Sequence, residues 1–374
     1  MSAERALARI DLAAIRHNAA TMVRAAGGAR LMAVVGADAY GHGAAPVARA
    51  ALEGGASALA VATVGEARAL RGSGLDAPLL VMGPRAGDDW AEAVALGAAV
   101  TAGTPDAIAR AAAAGGAAGR PVDVHLELDT GMGRLGARPE DVDALVAAAE
   151  GAGERVRVAG VMTHFATAGE TEGENAAFMA EQLLRFRARL PALRALFPGA
   201  VAHAANSAAT LREPGAALDM VRCGIALYGC SPFGGDPADD DLRPAMTLVS
   251  RLGSVKTLRS RESAGFGRLW RAARGTRVGV VPVGYADGYA PALAGRSEVL
   301  VGGRRVPVVG AISMDQLTVD LGPEGVEDVG DEVVLLGAQG GERVSAEELA
   351  GWRGTANYEV TCAVGPRVPR VHQG

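Results

Sequence analysis

Residues 32–43, with the sequence MAVVGADAYGHG, decide how this chain folds. The apolar residues from Leu31 to Val35 predict a buried strand, and Gly36 ends it. The loop that follows carries an aspartate, a tyrosine and a histidine between glycines. A polar, glycine-rich loop at the end of a strand is where α/β proteins place their chemistry. We therefore expect an α/β fold with its functional site at the ends of parallel strands.

The same alternation of strand and helix continues along the chain. Apolar runs predict strands at 30–35, 57–63, 78–82, 98–102, 122–129, 155–163, 200–205 and 219–227. Helical spacing predicts helices at Ile10–Ala26, Pro46–Glu53, Glu66–Gly72, Asp106–Ala114, Pro139–Glu150, Glu174–Leu190 and Ser207–Glu213. Eight such units in about 230 residues predict a TIM-like (β/α)8 barrel. A doubly wound open sheet is the alternative, but no Gly-x-Gly-x-x-Gly turn follows the first strand.

The pattern changes at the polar segment Pro237–Pro244. Beyond it, strands follow one another with few helices, at 246–258, 277–283, 297–310 and 332–336. Gly302 and Gly303 predict a hairpin turn inside the third of these runs. We therefore expect two domains, a barrel over residues 10–236 and a mainly β C-terminal domain over residues 237–374 with 1–9.

The composition excludes several classes of partner. A net charge of −5 over 374 residues gives no reason to expect nucleic acid or an anionic membrane surface. The N-terminus lacks the pattern of a signal peptide, and no apolar run approaches the length of a membrane span. We therefore expect a cytoplasmic protein. The three cysteines, Cys223, Cys230 and Cys362, have no metal-ligand spacing, and we expect no metal site.

Polar side chains cluster where the middle strands of the predicted barrel end. His125, Glu127 and Asp129 alternate with leucines, which is the pattern of a strand with a polar face toward the barrel interior. Arg134 follows this strand, and His164 follows the next one. A lone histidine at a strand end is more often structural than catalytic, so these residues alone leave the role of His164 open.

The last two predicted barrel strands end in residues that suit a phosphate group. Ser207 supplies a hydroxyl, and the backbone N–H groups of Gly224 and Ile225 can approach an anion because glycine has no Cβ. Barrel enzymes often bind phosphate with these two loops. The residues therefore predict a phosphorylated ligand. Further along the chain, Tyr285 is equally compatible with a packed aromatic side chain, and for Tyr358 alone a packed aromatic side chain is the favoured interpretation.

Nine motifs in a fixed order make the chain resemble the alanine racemases along nearly its whole length. They are ADAYGHG (37–43), DTGMGRLG (129–136), THFA (163–166), HAANSAAT (203–210), RCGIALYG (222–229), GYADGY (284–289), SMDQ (313–316), NYE (357–359) and RVPR (367–370). The resemblance implies a barrel that binds pyridoxal 5′-phosphate (PLP), joined to a β domain. It also implies a cytoplasmic homodimer that interconverts L- and D-alanine and supplies D-alanine for peptidoglycan precursors.

The resemblance also implies how the racemase would work. Racemisation removes a proton from one face of the substrate and returns it on the other, so the family uses two bases, a lysine and the tyrosine matching Tyr285. His164 would tune that tyrosine, and Arg222 would face the pyridine nitrogen of PLP. Arg134 and the backbone N–H of Met314 would bind the substrate carboxylate. Each active site would take Tyr285 and Met314 from the neighbouring subunit.

The remaining expected site residues hold the cofactor or support other side chains. The resemblance assigns cofactor binding to Tyr40, Asn206, Ser207, Gly224, Ile225, Arg222 and Tyr358, and supporting roles to Glu127 and Asp315. Many family members carry a carbamylated lysine at the position of Glu127, where it orients the arginine matching Arg134. A glutamate there supplies a fixed negative charge.

Position 36 departs from the family. Alanine racemases hold there the lysine that forms the Schiff base with PLP, whereas this chain has Gly36. Lys256 is the only lysine among the 37 basic residues, and arginine cannot form a Schiff base. The resemblance therefore implies an alanine racemase that has lost almost all activity, either by an engineered substitution or naturally. The alternatives are an inactive relative that carries PLP or its aldimine, and a retro-aldol-type PLP enzyme that uses Tyr285 alone.

Overall fold

The computed structural model of the chain describes residues 5–83 and 89–374. These residues divide into two compact units. The barrel unit contains 15–39 and 44–227, and the β unit contains residues up to Ala14, Tyr40–Gly43 and Tyr228–Gly374. The predicted domain limit between residues 236 and 237 stays a prediction, while the compact units divide after Leu227.

The chain begins with strand β1 (Ala6–Asp11) and helix α1 (Leu12–Ala25). The barrel unit is then a closed barrel of parallel strands, each paired with the next and the last paired with the first. In the described ranges they are β2 (Arg30–Val34), β3 (Ala58–Val61), β4 (Leu79–Val81), β5 (Ala99–Ala102), β6 (Val122–Glu127), β7 (Val156–Met162), β8 (Val201–His203) and β9 (Met220–Cys223). The predicted (β/α)8 barrel is confirmed, and the open sheet is wrong.

Helices cover the apolar outer faces of these strands. They are α3 (Ala44–Glu53), α4 (Val64–Gly72), α5 (Asp89–Ala95), α6 (Pro105–Ala118), α7 (Val142–Gly151), α8 (Gly173–Leu196) and α9 (Ser207–Arg212), while the short α2 (Gly36–Gly41) forms the loop after β2. Local sequence fixes several of their starts. Thr63 and Glu66 form a capping box at the start of α4, and Thr104 caps α6 just before a proline at its first position.

The predicted helix Ile10–Ala26 needs a correction at its start. Residues up to Asp11 form β1, which pairs antiparallel with Met246–Arg251 and parallel with Arg370–Gln373. The alternating burial of β1 is a strand pattern, and it overrides the helical spacing that continues into α1. The carboxylate of Asp11 still caps the helix, because it accepts a hydrogen bond of 3.0 Å from the N–H of Ala14.

The β unit is built on one large sheet. Its strands after β1 are β10 (Met246–Arg251), β11 (Ser254–Leu258), β14 (Thr276–Val281), β15 (Glu298–Val301), β16 (Arg304–Val309), β17 (Leu317–Gly322), β18 (Glu332–Gln339), β19 (Glu342–Val344) and β20 (Arg370–Gln373), while β12 (Ser263–Ala264) and β13 (Trp270–Arg271) pair separately. Its helices are α10 (Ala346–Arg353) and α11 (Asn357–Cys362).

The hairpin at Gly302 and Gly303 is confirmed, but the run 246–258 is two strands rather than one. Among the described residues, no helix is long and apolar enough to cross a membrane.

Candidate functional site

The loop after β2 forms a left-handed helical turn. Ala37, Asp38, Ala39 and Tyr40 all have φ between 51° and 54°, a region that costs L-residues roughly 1–2 kcal/mol each. Glu66 holds the start of the turn, since its Oε1 accepts a hydrogen bond of 2.6 Å from the N–H of Ala37. Surrounding contacts must maintain such a backbone, and this kind of strain concentrates at functional sites.

Gly36 precedes this turn and has no structural need to be glycine. Its φ lies outside the left-handed region, so other residues adopt the same backbone. A Cβ built at this position would lie 3.3 Å from the amide nitrogen of Ala62 and 3.6 Å from Oε2 of Glu66. Gly83 is a contrast, because a Cβ there would lie 2.2 Å from the carbonyl oxygen of Ala62. A side chain at position 36 therefore requires the backbone at Ala62 to shift by a few tenths of an ångström, a far smaller change than position 83 would need.

A buried cation, Arg222, occupies the C-terminal end of the barrel. Its Nη1 donates to Nδ1 of His203 at 2.8 Å and to the carbonyl oxygen of that residue at 3.0 Å. Its Nη2 donates to the carbonyl oxygens of Thr163, at 2.7 Å, and Ala204, at 3.2 Å. The same nitrogen lies 3.1 Å from Nδ1 of His164. Five acceptors therefore fix the orientation of the guanidinium group.

This network sets the tautomers of three histidines. Arginine only donates hydrogen bonds, so Nδ1 of His203 and Nδ1 of His164 both accept from Arg222. Nε2 of His203 then carries the hydrogen and donates to Nδ1 of His125 at 2.7 Å. The hydrogen bonds run outward from the guanidinium, so all three imidazoles are neutral while Arg222 keeps its charge.

The electrostatics agree with this assignment. Burial first, and then the charge of Arg222, lower the pKa of His164 to about 3. Burial lowers the pKa of His125 to about 4 and that of His203 well below its usual value. Burial also lowers the pKa of Arg222 to about 10, against the opposing charge of Glu127. The cluster at neutral pH is therefore one cation surrounded by neutral rings.

The sequence interpretation assigned no role to His125 or His203. Both lie within recognised segments, and the alternation of β6 already pointed His125 toward the barrel interior. The sequence did not reveal that β6 and β8 bring these two rings together. The distance between the ring centroids is 4.9 Å. Gly160 on β7 makes room for this contact, because a Cβ there would lie 2.4 Å from Nδ1 of His125.

The ends of β8 and β9 form a buried cradle of N–H groups. Oγ of Ser207 accepts from the N–H of Gly224 at 3.0 Å, which joins the two loops. Ile225 is buried, and its N–H has no acceptor among the described residues. Asn206 caps α9, with its side-chain oxygen accepting from the N–H of Ala209 at 3.1 Å. An unpaired buried N–H beside a hydroxyl suits an anion such as a phosphate group.

Arg134 and Glu127 occupy different environments near this end of the barrel. Arg134 is exposed and forms no hydrogen bond or ion pair within the described part of the chain, so it can bind an anionic ligand. Glu127 is buried, and its charge acts on Arg222. The expected support of Arg134 by the negative charge of Glu127 stays a prediction.

The other expected site residues lie in the β unit. The ring of Tyr40 stacks on Tyr228 at 4.6 Å between centroids and lies 6.3 Å from the ring of Tyr358. Tyr285 and Met314 are both about half exposed, on two adjacent turns. The structure thus groups Tyr40 with Tyr358, and Tyr285 with Met314.

The structure defines a class of two-unit α/β-barrel proteins. It has a closed parallel barrel with a buried cation at its strand ends, and a separate β unit. Comparison with known proteins identifies the family within this class. The family model described as "Alanine racemase, N-terminal domain" matches residues 10–232, and that described as "Alanine racemase, C-terminal domain" matches residues 245–372. The chain belongs to the alanine racemase family.

Individual relatives agree with the family models. The chain is 43% identical over 369 residues to an alanine racemase of Symbiobacterium thermophilum, covering 98% of this chain and 97% of that protein. It is 41% identical to one from Mycolicibacterium smegmatis, covering 97% and 93%. The alanine racemase structure from D-cycloserine producing Streptomyces lavendulae matches with a TM-score of 0.94 and 40% identity, covering 100% and 98%. The structure from Streptomyces coelicolor A3(2) gives 0.93 and 43%, covering 98% of each chain.

Proposed function

We propose that this chain has the site of an alanine racemase that interconverts L- and D-alanine with PLP, and that Gly36 reduces its turnover almost to nothing. The main observation in support of the proposal is the residue at position 36. It occupies the strand end where the family resemblance implies a lysine, and its backbone conformation does not require glycine. The buried network around Arg222 is intact, and the site would therefore differ from a working one chiefly at this position.

The residues of the barrel suit the phosphate group and the ring of PLP, but the barrel has no lysine that could attach PLP covalently. Ser207, Gly224 and the unpaired N–H of Ile225 would hold the phosphate, together with Asn206 and the tyrosines Tyr40 and Tyr358. Arg222 would donate to the pyridine nitrogen and keep it unprotonated, because its own pKa stays near 10. When bound, PLP supplies a ring that withdraws electrons from the α-carbon of an amino acid. Lys256, the only lysine, lies on β11 in the β unit.

The substrate would be held by its carboxylate. The guanidinium group of Arg134 has no partner in the described ranges. The backbone N–H of Met314 likewise has no acceptor there. We propose that Met314 and Tyr285 act at the site of a second copy, so that the working unit is a homodimer. Both residues are about half exposed, which leaves them free to contact another chain.

Proton transfer is the step that this chain would perform poorly. Tyr285 would carry a proton on one face of the α-carbon, with the neutral ring of His164 as its hydrogen-bond partner. The opposite face needs a second proton carrier, and Gly36 has no side chain to provide it. Loss of one positioned acid–base group costs on the order of 10²–10⁴-fold in rate. We therefore expect retained binding of PLP with racemisation close to background.

The deciding experiment restores the amine. Gly36→Lys and Gly36→Met proteins are incubated with PLP, and formation of D-alanine from L-alanine is followed. The two side chains have similar length, but only lysine can hold PLP and move a proton. We expect Gly36→Lys to exceed the starting protein by at least about 100-fold, while Gly36→Met stays at its level. A Gly36→Lys protein that binds PLP without interconverting alanine would show that the proposal is wrong.

Two other functions use the same site and follow from the missing amine. A carrier of PLP adducts would bind the cofactor without turnover, and Gly36→Lys would not create racemase activity. A retro-aldol enzyme needs only one proton carrier, Tyr285, and would release an aldehyde from a β-hydroxy amino acid. Aldehyde release from threonine by the unmodified chain with PLP, abolished in Tyr285→Phe, would favour this last function over a racemase.

A further inference from the structure

Two turns of the β unit, residues 284–288 and 313–316, are joined by their backbones. The N–H of Tyr285 donates to the carbonyl oxygen of Ser313 at 3.0 Å, and the N–H of Ala286 donates to that of Met314 at 3.0 Å. Gly284 permits this approach, because a Cβ there would lie 2.2 Å from the oxygen of Ser313. The two turns therefore carry Tyr285 and Met314 side by side.

Asp287 anchors the first turn from inside. Its side chain is fully buried, and its Oδ2 accepts from the N–H of Gly284 at 3.0 Å. Both carboxylate oxygens also accept from the guanidinium of Arg5, which in addition donates to the carbonyl oxygen of Pro282 at 2.9 Å. The first turn therefore keeps its shape without help from the second.

Arg367 connects this anchor to the second turn. Its Nε lies 3.5 Å from Oδ1 of Asp287, and its Nη2 donates to Oδ1 of Asp315 at 2.6 Å. Asp315 has no other partner within the described ranges, 5–83 and 89–374. One guanidinium group thus contacts a carboxylate from each turn, and the planar, forked shape of arginine suits such a bridge.

We infer that Arg367 is a positioning residue, which fixes the N–H of Met314 relative to the side chain of Tyr285. This inference rests on the proposed function, in which both groups act on a substrate in a second copy. The N–H of Met314 has no acceptor in the part of the chain that the structure describes, so the turn presents it outward. Without Arg367, Asp287 keeps Arg5, but Asp315 loses its partner, and only the two backbone hydrogen bonds still hold the second turn against the first.

The first test uses the chain as it exists and needs no catalysis. Hydrogen exchange of peptides containing Tyr285 and Ala286 is compared in the parent, Arg367→Gln and Arg343→Gln proteins. Arg343 is a matched control, because it is equally exposed and forms a similar ion pair with Asp236 at 2.7 Å. We expect Arg367→Gln to speed exchange about threefold or more in these peptides, and Arg343→Gln to leave it unchanged. Equal exchange in all three proteins, or equal acceleration in both variants, would overturn the inference.

The second test asks whether the turn geometry matters for the substrate. In the Gly36→Lys background, Arg367→Gln should raise the KM for alanine about fivefold with kcat changed less than about twofold, because Met314 binds the carboxylate before and after proton transfer. Arg367→Lys should restore only part of the loss, since an ammonium group reaches one carboxylate at a time. An unchanged KM, or a fall in kcat alone, would overturn the role. If the Gly36→Lys protein is inactive, the proposed function fails, while the exchange result still decides whether Arg367 holds the turns.

Discussion

Lowering the pH from about 7.5 to about 5 should destabilise this protein by about 4 kcal/mol through His125 and His164 alone. His125 and His164 are held neutral next to Arg222, with pKa values of about 4 and about 3 against an ordinary value of 6.5. The unfolded chain binds a proton at each of these rings once the pH falls below 6.5, whereas the folded chain does not. Acid therefore favours the unfolded state.

The magnitude follows from the two pKa values. At about pH 7.5 each ring is neutral in both states and contributes no pH dependence. At about pH 5 the unfolded state gains about 2 kcal/mol for each ring, because neither folded ring has yet taken up its proton. The loss is complete only below the folded pKa of each ring. His203, whose pKa burial also lowers, adds to the loss in the same direction.

The assay is urea unfolding at the two pH values, with circular dichroism as the measure of the folded fraction. The His125→Gln variant removes one titrating ring while its amide oxygen can still accept from Nε2 of His203, and His17→Gln on α1 is the control. We expect the difference in unfolding free energy between the two pH values to be about 2 kcal/mol smaller in His125→Gln than in the parent. The same pH dependence in the parent, His125→Gln and His17→Gln proteins would refute the assignment of a neutral buried ring.

Three further predictions concern the packing and the ligand of the barrel. Gly160→Ala should destabilise the protein by about 1–3 kcal/mol in thermal unfolding, because its Cβ would lie 2.4 Å from the ring of His125, whereas Gly151→Ala, with open space around it, should not. Borohydride reduction of the PLP-incubated chain followed by peptide mapping should find no pyridoxyl group; a group on Lys256 would instead move the cofactor site to the β unit. Ser207→Ala should weaken PLP binding about fivefold or more in an equilibrium titration, and unchanged affinity would exclude this hydroxyl from the phosphate site.

The barrel could be predicted from the sequence because its strands are buried on both sides. Each of the eight apolar runs contains one barrel strand, and the predicted ends differ from the observed ones by only a few residues. Strand β1 was missed, because its six residues run directly into α1 and the helical spacing of the latter dominated the pattern. The helices α10 and α11 were also missed, since each is short and lies among strands.

The candidate site was less accessible to sequence reasoning. The loop after β2 was located correctly, but nothing in its residue types indicated four consecutive left-handed backbones at Ala37–Tyr40, which tertiary contacts maintain. The relay from Arg222 through His203 to His125 joins three strands, so spacing along the chain could not reveal it. Side-chain roles that depend on a second copy, such as that of Tyr285, stay predictions for the same reason.

The pairing of the first barrel strand with the last has a consequence for how the site comes into being. Met32 on β2 lies opposite Arg222 on β9, so the loop with Gly36 and the guanidinium group come from the two ends of the barrel sequence. Contacts between strands so far apart in the sequence form slowly and at a high entropic cost. Closure of the barrel therefore brings these residues of the candidate site together. A ligand that contacts both strands would stabilise the closed barrel. We expect its removal to weaken the pairing of β2 with β9 first.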